Sequence, residues 1–417
     1  MRSAIISVGT ELLFGKVVNT NAAYLSQELN EMGIDVMYHY TMGDNPERLA
    51  RMLKFAFEDC DMLIITGGLG PTEDDLTKET VCEYMGIELR KDDEIADGLI
   101  KYFERTGYIY TENNMKQAYV PVGGTIFRNT AGTAPGFAVE RDGKRVVCMP
   151  GVPREMKKMF SESVKPYLMA ESDACIYSKS VRVFGVGESL TETMLLPFID
   201  GQTDPTIATY AKEGIVEVRI TSKRRTEAEA AAAVNDMLGG VMDVLGDSVF
   251  TQDGLEIQQE AAKRLIERNI SISCCESPTA GKFASMLADV PGISEVFSGG
   301  YVIYDENAAK ELMAIPDELL EDHTLYSSEA ADAMARKLHE KTGCRMCVAI
   351  TGVAGPDPVG DIAPGMYNIS VLFDGKLYSR KYNRRGRTRE LNREFMAQSA
   401  FDMILRIIDG KKMTEVR

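Results

Sequence analysis

The chain of 417 residues carries 47 Lys+Arg against 63 Asp+Glu, a formal net charge of -16. The length predicts two or three domains, and the charge argues against broad binding to nucleic acid or anionic membranes. No apolar run approaches the roughly 20 residues of a membrane span, and the opening MRSAIISVGTELL reads as a strand and its loop rather than a signal peptide. The compartment expected is the cytoplasm. Of eight scattered cysteines, Cys148, Cys274, Cys275 and Cys347 lie in apolar strand-like runs and read as reduced core residues. Cys344 and Cys347 form a CxxC without a second pair at zinc-ligand spacing.

In chain order, Ala4 to Val8 reads as a strand, followed by a turn of Gly9, Thr10 and Glu11. Asn19, Thr20 and Asn21 precede an amphipathic helix marked by Ala22, Leu25 and Leu29. Asn and Thr cap helices by holding the first free N–H groups, and the helix end doubles as an anion site. The apolar run Met62 to Ile65 then leads into Thr66 to Thr77, TGGLGPTEDDLT. Gly67, Gly68 and Gly70 at the carboxyl end of a buried parallel strand let backbone N–H groups approach a phosphate. Thr72, Glu73, Asp74 and Asp75 follow, and their carboxylates would repel that phosphate unless a divalent cation lay between them. An acidic first helical turn, favoured by the macrodipole, is the plain alternative.

The run Val146 to Met149 also ends in a Gly-bearing loop, and in an open parallel sheet such loops gather on one edge. Asp44, in TMGDNPE after the second strand, belongs on that edge in a doubly wound sheet. Asn129 to Gly136, NTAGTAPG, is a further Gly and Pro punctuated loop. Pro150 to Glu155, PGVPRE, opens a helix: Pro153 suits its first turn, and Glu155 either complements the dipole or faces a metal or a ribose.

From Ser178 to Phe250, the strands Val181 to Phe184 and Ile215 to Ile220 and the helices Glu188 to Ile199 and Thr226 to Leu245 predict a small α+β unit. Leu255 to Arg268 then reads as a helix and Ile270 to Cys275 as a buried strand. The following ESPTAG, Glu276 to Gly281, sets Ser277 and Thr279 at a strand-to-helix turn, where a serine is either a nucleophile or an ordinary cap. Tyr304 to Lys310 is YDENAAK. Thr351 to Pro356, TGVAGP, follows the strand Met346 to Ile350 and can offer N–H groups to an oxyanion. A hairpin turning at Asp374-Gly375 leads to a basic segment, Arg380 to Arg393, that starts the final helix. His39, His323 and His339 fall in none of these motifs, so a Ser-Lys pair fits better than a Ser-His-Asp triad, given a partly desolvated lysine.

GTELLFGKVVNTN, TGGLGPTEDDLT, NTAGTAPGF and PGVPREM, in that order, resemble the N-terminal domain of the CinA (competence/damage-inducible) family, which is related to the molybdopterin-binding MoaB/MogA fold. The middle section is similar to the KH-like domain of that family, although its GVG, Gly185 to Gly187, is not the GxxG that clamps a nucleic-acid backbone; it reads as a spacer or assembly domain. The last section resembles the CinA C-terminal domain, the nicotinamide mononucleotide (NMN) amidohydrolase fold, whose usual signatures are ESCTGG, a Tyr and NEAK segment, a TGIAGP loop and a basic segment near the last helix. Here Pro278 replaces the cysteine, Ala280 replaces a glycine, Tyr304 stands one residue farther from Lys310, and no PDGG run follows Pro356.

The resemblance implies an α/β chain with three domains: 1–170 doubly wound and MoaB/MogA-like, 175–250 KH-like α+β, and 251–417 of the α/β CinA C-terminal type. For the first it implies metal-dependent ADP-ribose pyrophosphatase activity, with Mg, Mn or Co held by Asp75 together with Asp44 or Asp74. Gly9, Thr10, Glu11, Asn19, Asn21, Thr66, Gly67, Gly68, Gly70, Thr72 and Glu155 would line the substrate. For the third it implies NMN amidohydrolase activity needing no cofactor. Ser277 would be the nucleophile and Lys310 the base, with Thr279, Tyr304, Thr351, Gly352, Arg387 and Arg393 around the substrate. A homodimer with no membrane or nucleic-acid partner is expected. The other readings are a molybdopterin-binding or transfer protein and a non-enzymatic protein tied to competence and recombination.

Overall fold

The computed structural model of the protein describes residues 1–170, 175–384 and 386–412. Arg385 of the basic segment and the 413–417 end of the third predicted domain lie outside the described residues. The chain forms two compact units, Met1–Tyr177 with Lys223–Glu227, and Ser178–Ser222 with Ala228–Arg417.

The first unit contains β1 (Arg2–Val8), β2 (Asp35–Met42), β3 (Met62–Thr66), β4 (Leu89–Lys91), β5 (Tyr119–Pro121), β6 (Thr125–Phe127), β7 (Gly136–Arg141) and β8 (Lys144–Met149). Its main sheet runs β2-β1-β3-β8-β7-β6, parallel through the first four strands and antiparallel at β7 and β6. Alternate residues of each strand face opposite layers. Ala4, Ile6, Leu63 and Ile65 pack with Leu49 and Leu53 of helix Pro46–Asp59 and Val81 of helix Thr77–Met85. Ile5 and Ile64 pack instead with Leu25 and Leu29 of helix Thr20–Glu31 and Met156 of helix Pro153–Met159. Both faces are thus covered, and the sheet is doubly wound as expected. The carboxyl ends of the four parallel strands share one edge, which carries the loops after Val8, Met42, Thr66 and Met149. The β4-β5 ribbon and helix Asp93–Thr106 lie outside the main sheet.

The second unit begins with the four-stranded sheet β10-β11-β9-β12, made of β9 (Cys175–Phe184), β10 (Thr206–Lys212), β11 (Ile215–Arg224) and β12 (Val249–Thr251), with helices Glu188–Ile199 and Glu227–Leu245. Its second sheet contains β13 (Ile272–Glu276), β14 (Phe297–Val302), β15 (Met346–Gly352), β16 (Met366–Phe373) and β17 (Lys376–Asn383), in the order β14-β13-β15-β16-β17. β14, β13 and β15 are parallel, and β16 and β17 form the antiparallel hairpin expected at Asp374-Gly375. Phe184, Ile215 and Phe250 share one buried cluster with Ile257 and Phe395, and the Phe184 and Phe395 rings stand 5.5 Å apart. The section read as a spacer or assembly domain shares this buried core with the C-terminal sheet. All eight cysteines are free, and only Cys175 is exposed. Among the described residues no helix is long and apolar enough to cross a membrane.

Candidate functional site

In the first unit, the loop after β3 is fastened from below. Gly67 donates its N–H to Met149 O at 3.0 Å, and Thr66 donates its hydroxyl to Pro150 O at 2.8 Å. Asn21 donates to Thr66 Oγ1 at 3.0 Å and Gly151 O at 2.7 Å, tying three loops together. A side chain is excluded at two points: a Cβ on Gly67 would lie 2.0 Å from Val8 O, and one on Gly68 would lie 2.1 Å from Thr77 Oγ1, both at positive φ. Asn19 is an ordinary cap, accepting from Ala22 N at 3.1 Å and donating to Ser7 Oγ at 2.9 Å. Gly9 has extended backbone, and a Cβ there would stand 2.5 Å from the exposed Glu11 carboxylate. Among the described residues, two buried oxygens beside Gly67 and Gly68 have no partner, Asn21 Oδ1 and Thr77 Oγ1. Buried polar atoms left unpaired are costly, so such a pair marks a place for a polar ligand or water.

The acidic residues divide into two groups. Asp44 Oδ2 accepts from the Thr10 N–H at 3.0 Å and its hydroxyl at 2.8 Å. Asp75 Oδ2 accepts from Thr72 N at 3.0 Å, and the Thr72 hydroxyl also binds Asp74, holding that carboxyl below its ordinary range. Asp74 and Asp75 thus share the Thr72 hydroxyl while Asp44 binds Thr10, and among the described residues no three His, Cys, Asp or Glu gather around one ion position. The donor set still suits an ion such as Mg, which is held by one or two carboxylates and completes its shell with substrate phosphates and water. Asp74 and Asp75 beside the Gly67–Gly70 cradle are the residues that would hold it. Glu155 is turned elsewhere, accepting from Asn129 Nδ2 at 2.7 Å, so it clasps the NTAGTAPG loop.

Lys116 is a residue of this site that patterning does not point to. Its ammonium donates to Thr72 O at 3.1 Å and to Asp75 O, and its own carbonyl accepts from Lys78 at 2.6 Å. Burial pushes the Lys78 ammonium below its ordinary pKa. Lys116 thus fixes the backbone of the acidic loop, and Lys78 holds the backbone of Lys116.

In the second unit, parallel pairing sets Glu276 of β13 beside Ile350 of β15. Ser277 N donates to Ile350 O at 3.0 Å, and Ile303 N donates to Glu276 O at 2.7 Å, so the ESPTAG turn, the Tyr304 loop and the TGVAGP loop meet at one edge. The start of helix Arg389–Asp409 closes over them. Arg393 donates to Thr279 O at 2.7 Å, Asn392 to Ala354 O at 2.9 Å, and Arg389 to Tyr304 Oη at 2.6 Å and to Gly355 O. Among the described residues, the buried polar atoms without a partner around this closure include Thr279 Oγ1, Asn392 Oδ1 and Arg393 Nε. Thr351 is turned away, its hydroxyl donating to Ser327 O at 3.2 Å. Gly352 has φ 144, where a Cβ would lie 2.5 Å from Tyr367. The Arg387 guanidinium stacks 4.3 Å from the Phe395 ring centroid.

Two features of this turn were not legible. Glu276 is 1% exposed and accepts from Gly281 N and Phe283 N at 3.1 Å and from Ala284 N at 2.9 Å, so the buried carboxylate pins the turn that carries Ser277. Ala280 has φ 48, a left-handed conformation that costs a residue with a Cβ roughly 1–2 kcal/mol. Ala280→Gly is therefore expected to raise the melting temperature of this unit by about 2–4 °C. Calorimetry checks this, and a fall would show that the turn carries no such strain.

Lys310 does not meet the requirement placed on it. Its ammonium is ion-paired with Asp317 at 2.5 Å rather than bonded to Ser277, and that hydrogen bond raises its pKa above the ordinary lysine value. A lysine base needs the opposite shift.

The comparisons with known proteins follow the same divisions. Residues 4–170 match the family described as "Probable molybdopterin binding domain", residues 178–251 the "Damage-inducible protein CinA KH domain" and residues 255–408 the "CinA C-terminal domain". A competence-damage inducible protein of Acetivibrio thermocellus is 42% identical over 98% of this chain and 99% of its own. A CinA-like protein of Dictyoglomus turgidum is 41% identical over 88% of this chain and 91% of its own. Among solved structures, CinA of Thermoplasma acidophilum is 33% identical over 40% of this chain and 96% of its own, with TM-score 0.36. MoaB of Thermus thermophilus is 19% identical over 40% of this chain and 91% of its own, with TM-score 0.28. With near-complete coverage at 42% identity and the three family matches in order, the chain belongs to the CinA family of competence/damage-inducible proteins.

Proposed function

We propose that the protein is a pyridine-nucleotide hydrolase with two sites, a metal-dependent ADP-ribose pyrophosphatase at the TGGLGPTEDDLT loop and an NMN amidohydrolase at the ESPTAG turn. The observation that carries this reading is the group of unpartnered buried atoms from Thr279, Asn392 and Arg393, three polar groups of different chemistry beside a serine at a pinned strand-to-helix turn. A nucleotide carboxamide supplies complementary groups: its phosphate matches a guanidinium and its amide N–H matches an Asn oxygen. Ser277 would attack the carboxamide carbon, with backbone N–H groups around Gly352 receiving the oxyanion. At the first site a divalent cation would neutralise phosphate charge and lower the pKa of a bound water. Asp74 and Asp75 would hold it, Gly67–Gly70 would receive the phosphates, and Lys116 would keep the loop in place.

Arg393→Ala tests the C-terminal assignment with the full chain. Losing a charge-assisted hydrogen bond costs about 1.5–3 kcal/mol, so the Kd for NMN should rise roughly 10–100-fold, read by calorimetric titration. Unchanged affinity would detach the arginine from the ligand.

The match of residues 4–170 to a molybdopterin-binding family supports a second reading, in which the first unit binds molybdopterin. Incubating the protein with ADP-ribose and with molybdopterin, each with and without Mg, Mn or Co, separates the two: turnover of ADP-ribose favours the hydrolase, and retention of molybdopterin alone favours the binding protein. A competence role without hydrolysis, suggested by the relatives' names, would be favoured by loss of both activities together with a stable partner.

A further inference from the structure

The stretch Arg380 to Arg393 holds seven cations against the single carboxylate of Glu390, in a chain whose net charge is -16. Local charge of this sign, against the trend of the whole molecule, attracts anions. Two of the seven reach the loops around Ser277: Arg389 bonds Tyr304 Oη and Gly355 O, and Arg393 bonds Thr279 O. Arg384 and Arg387 lie elsewhere. Their guanidinium carbons stand 4.5 Å and 4.3 Å from the centroid of one ring, that of Phe395. Phe395 and Arg393 are two positions apart on helix Arg389–Asp409, which turns them about 200° from each other. The two arginines are therefore grouped on the side of the helix away from Arg393.

Strand alternation sets this charge against the helix. Arg380 and Tyr382 share a face of β17, and Arg384 continues the alternation just past its end. Tyr382 pairs in register with Tyr367, the two rings stack at 4.6 Å, and the Tyr367 hydroxyl meets Ser399 Oγ of the helix at 2.8 Å. Asp402, a buried carboxylate of that helix, is already held by Arg406 Nε at 2.9 and 3.0 Å. Among the described residues, Arg384 Nη2 and Tyr382 Oη are buried without a hydrogen-bond partner. Burial, together with the Arg387 and Arg380 cations, pushes the Arg384 pKa below its ordinary value. A guanidinium that is partly desolvated, crowded by like charge and short of acceptors is stabilised by an anion. The ground beneath it is firm: Phe395 is buried with its ring 5.5 Å from that of Phe184, Arg384 N donates to Gly365 O at 2.8 Å, and Arg387 O accepts from Asn392 Nδ2 at 3.5 Å. We infer that Arg384 and Arg387 form a second anion site in this unit, which takes a dianionic phosphate group, free or as a monoester, between two guanidinium groups stacked on Phe395. A guanidinium fork matches phosphate oxygens in pairs, and stacking on an aromatic ring holds the fork in one plane.

Inorganic phosphate and glycerol 3-phosphate, titrated calorimetrically into the full chain at constant ionic strength, test the site. Arg384→Gln and Arg387→Gln should each weaken phosphate binding about 10–100-fold, the effect of losing one charge-assisted hydrogen bond, with melting curves that show both variants folded. Arg384→Lys keeps the charge without the planar fork and should recover only part of the loss. Phosphate held instead by Arg393 or at the Gly67–Gly70 loop would keep its affinity in both Gln variants, and that result overturns the assignment. Full recovery in Arg384→Lys also overturns it, since the effect would then be diffuse charge rather than a built site. Glycerol 3-phosphate that binds as tightly as inorganic phosphate, with the same loss in both Gln variants, identifies a phosphate monoester as the ligand; binding of inorganic phosphate alone identifies the free ion. The NMN reading stands or falls separately, on Ser277 and Arg393.

Discussion

Asp75→Asn should reduce metal-dependent ADP-ribose cleavage on the order of 10³-fold, since a metal-held carboxylate contributes several kcal/mol of charge stabilisation. The fold should survive. An Asn side chain has the same shape and keeps an acceptor oxygen for the Thr72 N–H, now 3.0 Å from Asp75 Oδ2. The Lys116 contacts that fix the loop go to the carbonyls of Thr72 and Asp75, which the substitution leaves in place. What changes is one negative charge beside the Gly67–Gly70 cradle, so loss of turnover with an unchanged melting curve would assign the effect to chemistry. Full metal-dependent turnover in Asp75→Asn would remove this carboxylate from the reaction and leave its bond to Thr72 as its role.

The strands that carry both sites were legible because parallel strands covered on two faces leave unbroken apolar runs, as in Met62 to Ile65 and Met346 to Ile350. Glycines at their ends marked the loops, and the doubly wound order then required those loops to share an edge. β10 escaped because Thr206–Lys212 is largely half-exposed to exposed and its residues show no clean alternation. Side-chain partners escaped for a different reason. Lys116 reaches its loop across 41 to 44 positions of sequence, and Arg389 reaches Tyr304 across 85, separations over which no periodicity carries information. Glu276 was read as part of a motif, whereas its work is to hold three N–H groups of the following turn. Asp44 lies in the loop expected for it, yet its partner is Thr10, since proximity along one sheet edge does not decide which side chains converge.

Ser277→Ala should abolish ammonia release from NMN, with a loss on the order of 10⁴–10⁶-fold if the hydroxyl is the nucleophile, while NMN binding through Arg393 survives. The role of Lys310 then turns on its protonation. Only the neutral amine accepts a proton, and the bond to Asp317 raises the pKa, so the cation is favoured across the neutral range. If Lys310 is the base, ammonia release must rise with pH up to that raised pKa, and Asp317→Asn, which removes the cause of the shift, must move the rise toward lower pH and speed turnover near pH 7. Asp317 is 67% exposed at its side chain, so this variant should leave the fold unchanged. Lys310→Ala should abolish the pH-dependent rise altogether. A profile that Asp317→Asn leaves in place would show that Lys310 serves the surface pair alone, and that the proton of Ser277 leaves by another route.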